Sequence, residues 1–361
     1  MRRILPASLF GVAPAAFIAL FGLNGAAWAQ TPGAQSCTLP KIADTAPLEQ
    51  LAGTDLVTVP VAINGNTRKF LLDLGLKKPT EVSQKMKAEL GLGEPNYLTE
   101  NFGSGITGMP GINNVRVYDA THGLGAGALT NLVSVGSFTV GRATGRHLQF
   151  AVAKKGEIGQ SASYDGFLTG DFFRQYDVEL DFGGKQMTWL IPTDCSDPNR
   201  VVFWPHREVA IVPITLAKDG RLQMQVMVHG HIFNAEIDTS SARSVMRRDI
   251  AERYVRLTSD TPDMTPVNGL KDGVGMQVYV HTFPEIIFSG GITVLNIPTL
   301  IQDYSMIPME DRRPVLGTRA QFTDERIPDL TIGMDVLQKL HMYVVLGQGK
   351  IYVTSASNAV N

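Results

Sequence analysis

The chain lacks a surplus of positive charge: 32 Lys and Arg stand against 34 Asp and Glu in 361 residues, a formal net charge of −2. Nucleic-acid backbones are held by a clustered basic excess, so this balance argues against a nucleic-acid partner. Charged residues are themselves scarce, at 18% against 44% hydrophobic. That excludes a disordered chain or a coiled coil and leaves enough apolar mass for a packed core. Only two cysteines occur, Cys37 and Cys195, and neither has a nearby Cys or His to complete a metal site. There is no Gly-x-Ser-x-Gly nucleophile turn, and the glycines at 123, 125 and 127 lack the strand and helix flanks of a nucleotide loop. Glycine and proline, by contrast, are plentiful at 36 and 20, which leans toward a turn-rich β architecture, and the length favours two domains.

Arg2 and Arg3 precede an uncharged stretch from Ile4 to Leu23, and Ala27-Trp28-Ala29 stands just before Gln30. These are the basic, apolar and small-residue zones of a secretory signal, while Pro6, Ser8 and Pro14 dilute the run relative to a membrane span. The expectation is a signal peptide over 1–29, no membrane span after its cleavage, and a periplasmic or secreted protein. In such an oxidising compartment an even pair of cysteines reads as one disulfide, Cys37 to Cys195, tying an N-terminal tail to the middle of the chain.

The remainder repeats once. The first half reads Val59-Pro60-Val61-Ala62-Ile63-Asn64-Gly65-Asn66, then Phe70-Leu71-Leu72-Asp73-Leu74-Gly75; the second reads Val226-Met227-Val228-His229-Gly230-His231, then Ala235-Glu236-Ile237-Asp238-Thr239-Ser240. Each is a β-hairpin signal whose second strand ends in an acid. The alignment makes His229-Gly230-His231 a hairpin turn equivalent to Asn64-Gly65-Asn66, a plainer reading than a soft-metal site with Met224 and Met227. Helix-like spacing follows in Thr80 to Leu90 and Ser241 to Val255. Glycine-rich stretches come next, Gly103 to Gly111 and Gly123 to Gly127 in one half and Gly269 to Gly275 in the other. Strand-like runs follow at Leu132 to Val140, His147 to Val152, Val278 to Phe288 and Ile292 to Ile301.

A second anchor closes each half: Gly166-Phe167-Leu168-Thr169-Gly170-Asp171 and Leu330-Thr331-Ile332-Gly333-Met334-Asp335. The first acids lie 165 residues apart (238 − 73) and the second 164 (335 − 171). Asp171 and Asp335 precede helix-like segments, where the helix dipole accounts for an acid without chemistry. The expected organisation is a tail over 30–54, a lobe over 55–192, a linker over 193–205, a second lobe over 206–355 and a short tail over 356–361. Trp189 and Trp204 bracket the linker as packing residues.

The pattern Leu71-Leu72-Asp73-Leu74-Gly75 and Glu236-Ile237-Asp238-Thr239-Ser240, each answered further on by an apolar-apolar-Gly type turn, resembles the aspartic proteases of the retropepsin and pepsin clan. It is similar in particular to bacterial retropepsin-like proteins with two lobes in one chain, over nearly all of 55–355. The resemblance implies an all-β, bilobal pepsin-like pseudo-dimer with a few short helices, monomeric, each lobe donating one Asp. It makes Asp73 and Asp238 the catalytic pair, supported by Leu74, Gly75, Thr239 and Ser240 in the site loops. It implies no metal or organic cofactor, and a peptide or protein substrate bound extended between the lobes under glycine-rich flaps. Physically, two close carboxylates share one proton, so one can activate a water while the other donates to the peptide carbonyl.

Both triplets depart from the usual Asp-Thr-Gly or Asp-Ser-Gly. Leu74 stands where a hydroxyl is expected, Ser240 where a glycine is expected, and Thr169 where the second half has Gly333. A hydroxyl missing from one loop leaves the network across the interface lopsided, and Ser240 crowds or redirects the site. Two functions follow: an extracytoplasmic aspartic endopeptidase, or a catalytically impaired module that binds extended peptides or a partner protein.

Overall fold

A computed structural model describes residues 37–74, 80–94, 106–107, 132–153, 158, 162–170, 173, 176–217, 220–272, 275–303 and 328–356. The signal segment, Gly75, Asp171, the 123–127 glycines and most of 103–111 lie outside them. The described part, from Cys37 onward, belongs to one compact unit.

Strands dominate. In the first half come β1 (Lys41–Pro47), β2 (Glu49–Gln50), β3 (Val57–Ile63), β4 (Asn66–Leu72), β5 (Glu81–Val82), α1 (Gln84–Glu89), β6 (Ile106–Thr107), β7 (Leu132–Val140), β8 (Ala143–Val152), β9 (Gly166–Leu168), β10 (Asp177–Asp181) and β11 (Gln186–Ile191). After α2 (Pro198–Val201), the second half supplies β12 (Ala210–Pro213), β13 (Thr215–Leu216), β14 (Leu222–Val228), β15 (His231–Ile237), β16 (Val245–Arg247) and α3 (Arg248–Ile250). Then follow β17 (Thr265–Lys271), β18 (Gln277–Phe288), β19 (Thr293–Gln302), β20 (Leu330–Ile332), α4 (Met334–Leu337), β21 (Leu340–Val345) and β22 (Lys350–Ser355). The tail expected over 30–54 thus carries two strands, and the linker carries a helical turn capped by Asp197.

The repeat is visible in the pairing. In the first half β3, β4, β9, β5, β8 and β7 pair in turn, and β7 pairs back to β3. In the second, β14, β15, β20, β16, β19 and β18 do the same, and β18 pairs back to β14. Each ring has its parallel pairs at the same places: β4 with β9 and β5 with β8 in one, β15 with β20 and β16 with β19 in the other. Ring closure leaves few edges exposed and gives each half its own apolar interior. Alternation does the sorting: Val59, Val61 and Ile63 of β3 point inward and are at most 2% exposed.

The two opening hairpins are built alike. Asn64 and Gly65 hold φ of 49° and 81°, and His229 and Gly230 hold 49° and 77°, so both residues of each two-residue turn are left-handed, as a twisted hairpin demands. His229 and Gly230 therefore serve as the turn that the alignment indicated.

The helix-like segments are shorter than their spacing predicts. Thr80 to Leu90 yields the two-residue strand β5 and then α1, whose first turn is capped by Ser83 accepting from Met86 N–H at 3.0 Å. Ser241 to Val255 likewise gives a turn, β16, then α3 running into a π-helical turn over Ala251–Val255. In both, the first apolar residues, such as Val82 and Val245, are drawn into the ring because two neighbouring strands there need a partner.

A third sheet joins the halves in the order β1-β11-β10-β21-β22-β12, three strands from each. The middle pair, β10 with β21, is the seam. The disulfide between Cys37 and Cys195 is formed and fastens the chain before β1 to the segment that covers this sheet.

Candidate functional site

The two site loops emerge from equivalent places. Phe70, Leu71 and Leu72 end β4 inside the first ring, all at most 2% exposed, and the next residue, Asp73, donates its N–H to Leu168 O on β9 at 2.9 Å. In the second half Ile237 ends β15 and Asp238 N–H donates to Ile332 O on β20 at 3.0 Å. The same bond in both copies sets each acid at the carboxyl end of a parallel strand pair. Asp73 is 9% exposed and Asp238 half-buried.

One side chain ties the loops together. The Thr239 hydroxyl, fully buried, accepts from Leu74 N–H at 3.1 Å and donates to Leu72 O at 3.0 Å. It spans from the second half to the backbone on both sides of Asp73. Leu74 has no hydroxyl to return the bond and is packed into the core instead, 3% exposed. The network is lopsided as its sequence predicts, with a hydrogen-bonded clamp on one side and an apolar plug on the other.

Ser240 neither removes nor displaces the acid. Its N–H and its hydroxyl both donate to Asp238 Oδ1, at 2.8 and 2.7 Å. These bonds fix the orientation of the Asp238 carboxylate within its own loop. Gly75 lies outside the described residues.

Behind the loops the halves diverge. Asp335 stands in the first turn of α4, where the dipole argument put it, and it does a second job. Its carboxylate accepts from Ser244 N–H at 3.0 Å and from the Ser244 hydroxyl at 2.7 Å, and that hydroxyl accepts from Gly333 N–H at 3.0 Å. The acid therefore pins α4 to the approach to β16. A Cβ on Gly333 would lie 2.5 Å from the Arg243 carbonyl carbon, so the close approach needs glycine. In the first half the equivalent contact is between two threonines, Thr80 and Thr169, whose hydroxyls are 3.4 Å apart.

Beside the loops a cleft of about 530 Å³ opens between the halves, lined by Leu51, Thr54 and Asp55 from one side and by Ala242 and Arg243 from the other. Sequence reasoning did not find this cleft. Its one legible signal was an arginine placed five residues after Asp238.

No protein-family model matches the chain, and no curated protein matches it. Among solved structures it is similar to the basic 7S globulin from soybean, with a TM-score of 0.48 and 12% identity over 89% of this chain and 100% of that one. It is similar also to conglutin gamma, a basic 7S globulin from lupine seeds, with a TM-score of 0.43 and 15% identity over 88% of this chain and 98% of that one. Both bear the name of basic 7S globulins and neither that of a protease. The assignment to the retropepsin-like proteases is corrected accordingly. The physical reason lies in the signal itself: an acid after an apolar strand, followed by a turn, is the signature of a backbone geometry, and a geometry can be shared by proteins that do different things.

Proposed function

We propose that the paired loops form a hydrolytic site for peptide bonds, with Asp73 and Asp238 as its two carboxylates. The observation that supports this is the Thr239 clamp, which holds the backbone beside Asp73 directly against the residue after Asp238. Two acids at equivalent strand ends, in loops bonded to each other, supply on this reading the two carboxylates that such chemistry needs. One then takes a proton from a bound water while the other donates to the carbonyl oxygen of the peptide. Ser240 holds one oxygen of Asp238 through two hydrogen bonds. The peptide lies in extended form across the paired loops, with main-chain hydrogen bonds for affinity; the 530 Å³ cleft, whose lining includes neither acid, is not that channel. On this reading the protein works as a monomer outside the cytoplasm, after loss of residues 1–29, and the disulfide is in keeping with an oxidising compartment.

A second reading is favoured by Leu74. A buried leucine where a reciprocal hydroxyl would stand loosens the hold on Asp73, and loosened catalytic geometry costs rate steeply. The protein would then bind extended peptides or a partner protein without cutting them. The two readings part in one experiment. The chain from Gln30 onward is incubated with a denatured protein from acidic to neutral pH beside Asp73→Asn and Asp238→Asn. Cleavage by the parent that both variants lose supports the hydrolytic site. Cleavage surviving in either variant removes the pair, and peptide binding without cleavage in all three supports the module.

A further inference from the structure

The seam between the halves carries a polar cluster that the site does not use. Asp177, Glu179 and Asp181 lie on one face of β10, two residues apart each time. Across the seam, Tyr343 donates its hydroxyl to Asp177 Oδ2 at 3.1 Å, and His341 Nε2 lies 2.9 Å from Glu179 Oε1. His341 Nδ1 is 3.8 Å from Asp181 Oδ1. The two main contacts are one contact seen twice. The repeat offset of 164 residues carries Asp177 onto His341 (341 − 177) and Glu179 onto Tyr343 (343 − 179), so the Asp177 to Tyr343 bond maps onto the His341 to Glu179 bond. Duplication would place the same pair at both positions; here the acid and its partner have changed sides, with a histidine for the aspartate.

The cluster is closed in. Asp177, Glu179, His341 and Tyr343 are all at most 6% exposed. Trp204 from the linker stacks on His341 with ring centres 3.8 Å apart and anchors its own N–H on Thr354 at 2.9 Å. The other titratable groups beside the cluster are Tyr352 on β22 and Asp197 on the linker, and opposite Asp177, Glu179 and Asp181 β11 sets Leu190, Thr188 and Gln186. Three carboxylates thus share one face with a single histidine between two of them.

We propose that this face is an acid-tightened clasp between the two halves, closing as a proton is taken up at Asp177 and easing as it is lost. Burial pushes the Asp177 carboxyl up to about 6, although bonds from Tyr343 and the Thr193 backbone pull it down. A carboxyl raised in the folded state stabilises fully below its unfolded value, and that stability drains away as pH rises through the folded value. Because the clasp joins the strands that carry the two halves, its easing loosens the apposition on which the site loops depend.

The test is equilibrium urea unfolding of the full disulfide-bonded chain between pH 5 and pH 7.5, with hydrogen exchange read at the β10 and β21 amides. From Asp177 alone the unfolding constant rises about tenfold over that range. Asp177→Asn removes that tenfold rise, and Tyr343→Phe, which takes away the donor that favours the charged form, extends the rise to higher pH and makes it larger. Exchange at the seam amides should rise with pH more steeply in the parent than in Asp177→Asn. A variant slope equal to the parent's, in whichever of the two substitutions folds, overturns the clasp, as does a parent whose stability does not fall from pH 5 to pH 7.5.

Discussion

Replacing Thr239 with valine keeps the shape of the side chain and deletes one hydroxyl, which makes it the cleanest test of how the halves are coupled at the site. The hydroxyl serves two backbone groups of the other half, the Leu74 N–H and the Leu72 carbonyl, at 3.1 and 3.0 Å. Thr239 and Leu72 are fully buried and Leu74 is 3% exposed, so water does not replace the lost partner. Leaving a buried donor or acceptor unsatisfied costs about 1–3 kcal/mol each. A carbonyl with a second lone pair sits at the lower end, so the expected loss is about 2–4 kcal/mol. Thr239→Ser retains both bonds, loses one buried methyl and should cost about 1 kcal/mol. Urea titration of both variants at a single pH reads the difference, and a second transition in Thr239→Val would report halves that unfold apart. If valine costs less than about 0.5 kcal/mol, or serine costs as much as valine, the hydroxyl does not couple the loops and the reasoning fails.

Two further outcomes are expected. Leu74→Thr supplies the hydroxyl that the first loop lacks, at a cost of about 1–2 kcal/mol in lost apolar burial; under the hydrolytic reading peptide cleavage rises in this variant, and a variant that folds with cleavage unchanged or lower counts against Leu74 as the limiting defect. Asp44 gives the acid limb of stability. Burial raises its carboxyl, but bonds from Thr45, Arg142 and Ala143 outweigh that and hold it below the usual carboxylate value. Its stabilisation is therefore present above the unfolded value near 3.8 and lost as pH falls through the lower folded one. Asp44→Asn should lower stability at pH 6 and flatten the loss below pH 4, which a series of urea midpoints across acid pH would show.

What could be read in the sequence was what local chemistry carries. An Asn-Gly pair and a His-Gly pair between alternating apolar runs specify tight hairpins, and both form with the same signs of φ. Leu132 to Val140 is β7 to the residue, although its inward side changes from Val133 and Val135 to Phe138 and Val140 across Gly136. Two anchors at one offset revealed that the halves would match. The pairing of Cys37 with Cys195 was legible because the chain offers no other partner. What could not be read is what depends on the third dimension. Nothing near Asp335 announces Ser244, 91 residues away, as the group that its carboxylate serves. Alternation placed Asp177, Glu179 and Asp181 on one face, but not that the opposite strand would be β21 or that His341 and Tyr343 would meet them.

The departures from symmetry fall into two kinds. At the strands, where the ring must close, the copies agree in order, in direction and in the bond from each acid's N–H to the neighbouring strand. At the contacts between halves they disagree: Thr239 against Leu74, His341 against Asp177. A ring tolerates little change because each strand is held by two others, whereas a contact across a pseudo-twofold seam can be satisfied from one side. Thr239 makes both bonds of its clamp alone, so Leu74 was free to become an apolar plug; Glu179 already faced the seam, so its partner could change from aspartate to histidine. Two identical halves would share every property of the seam. Divergence there lets this protein have a clamp that is rigid on one side and a clasp that responds to protons, while the scaffold beneath both stays the same.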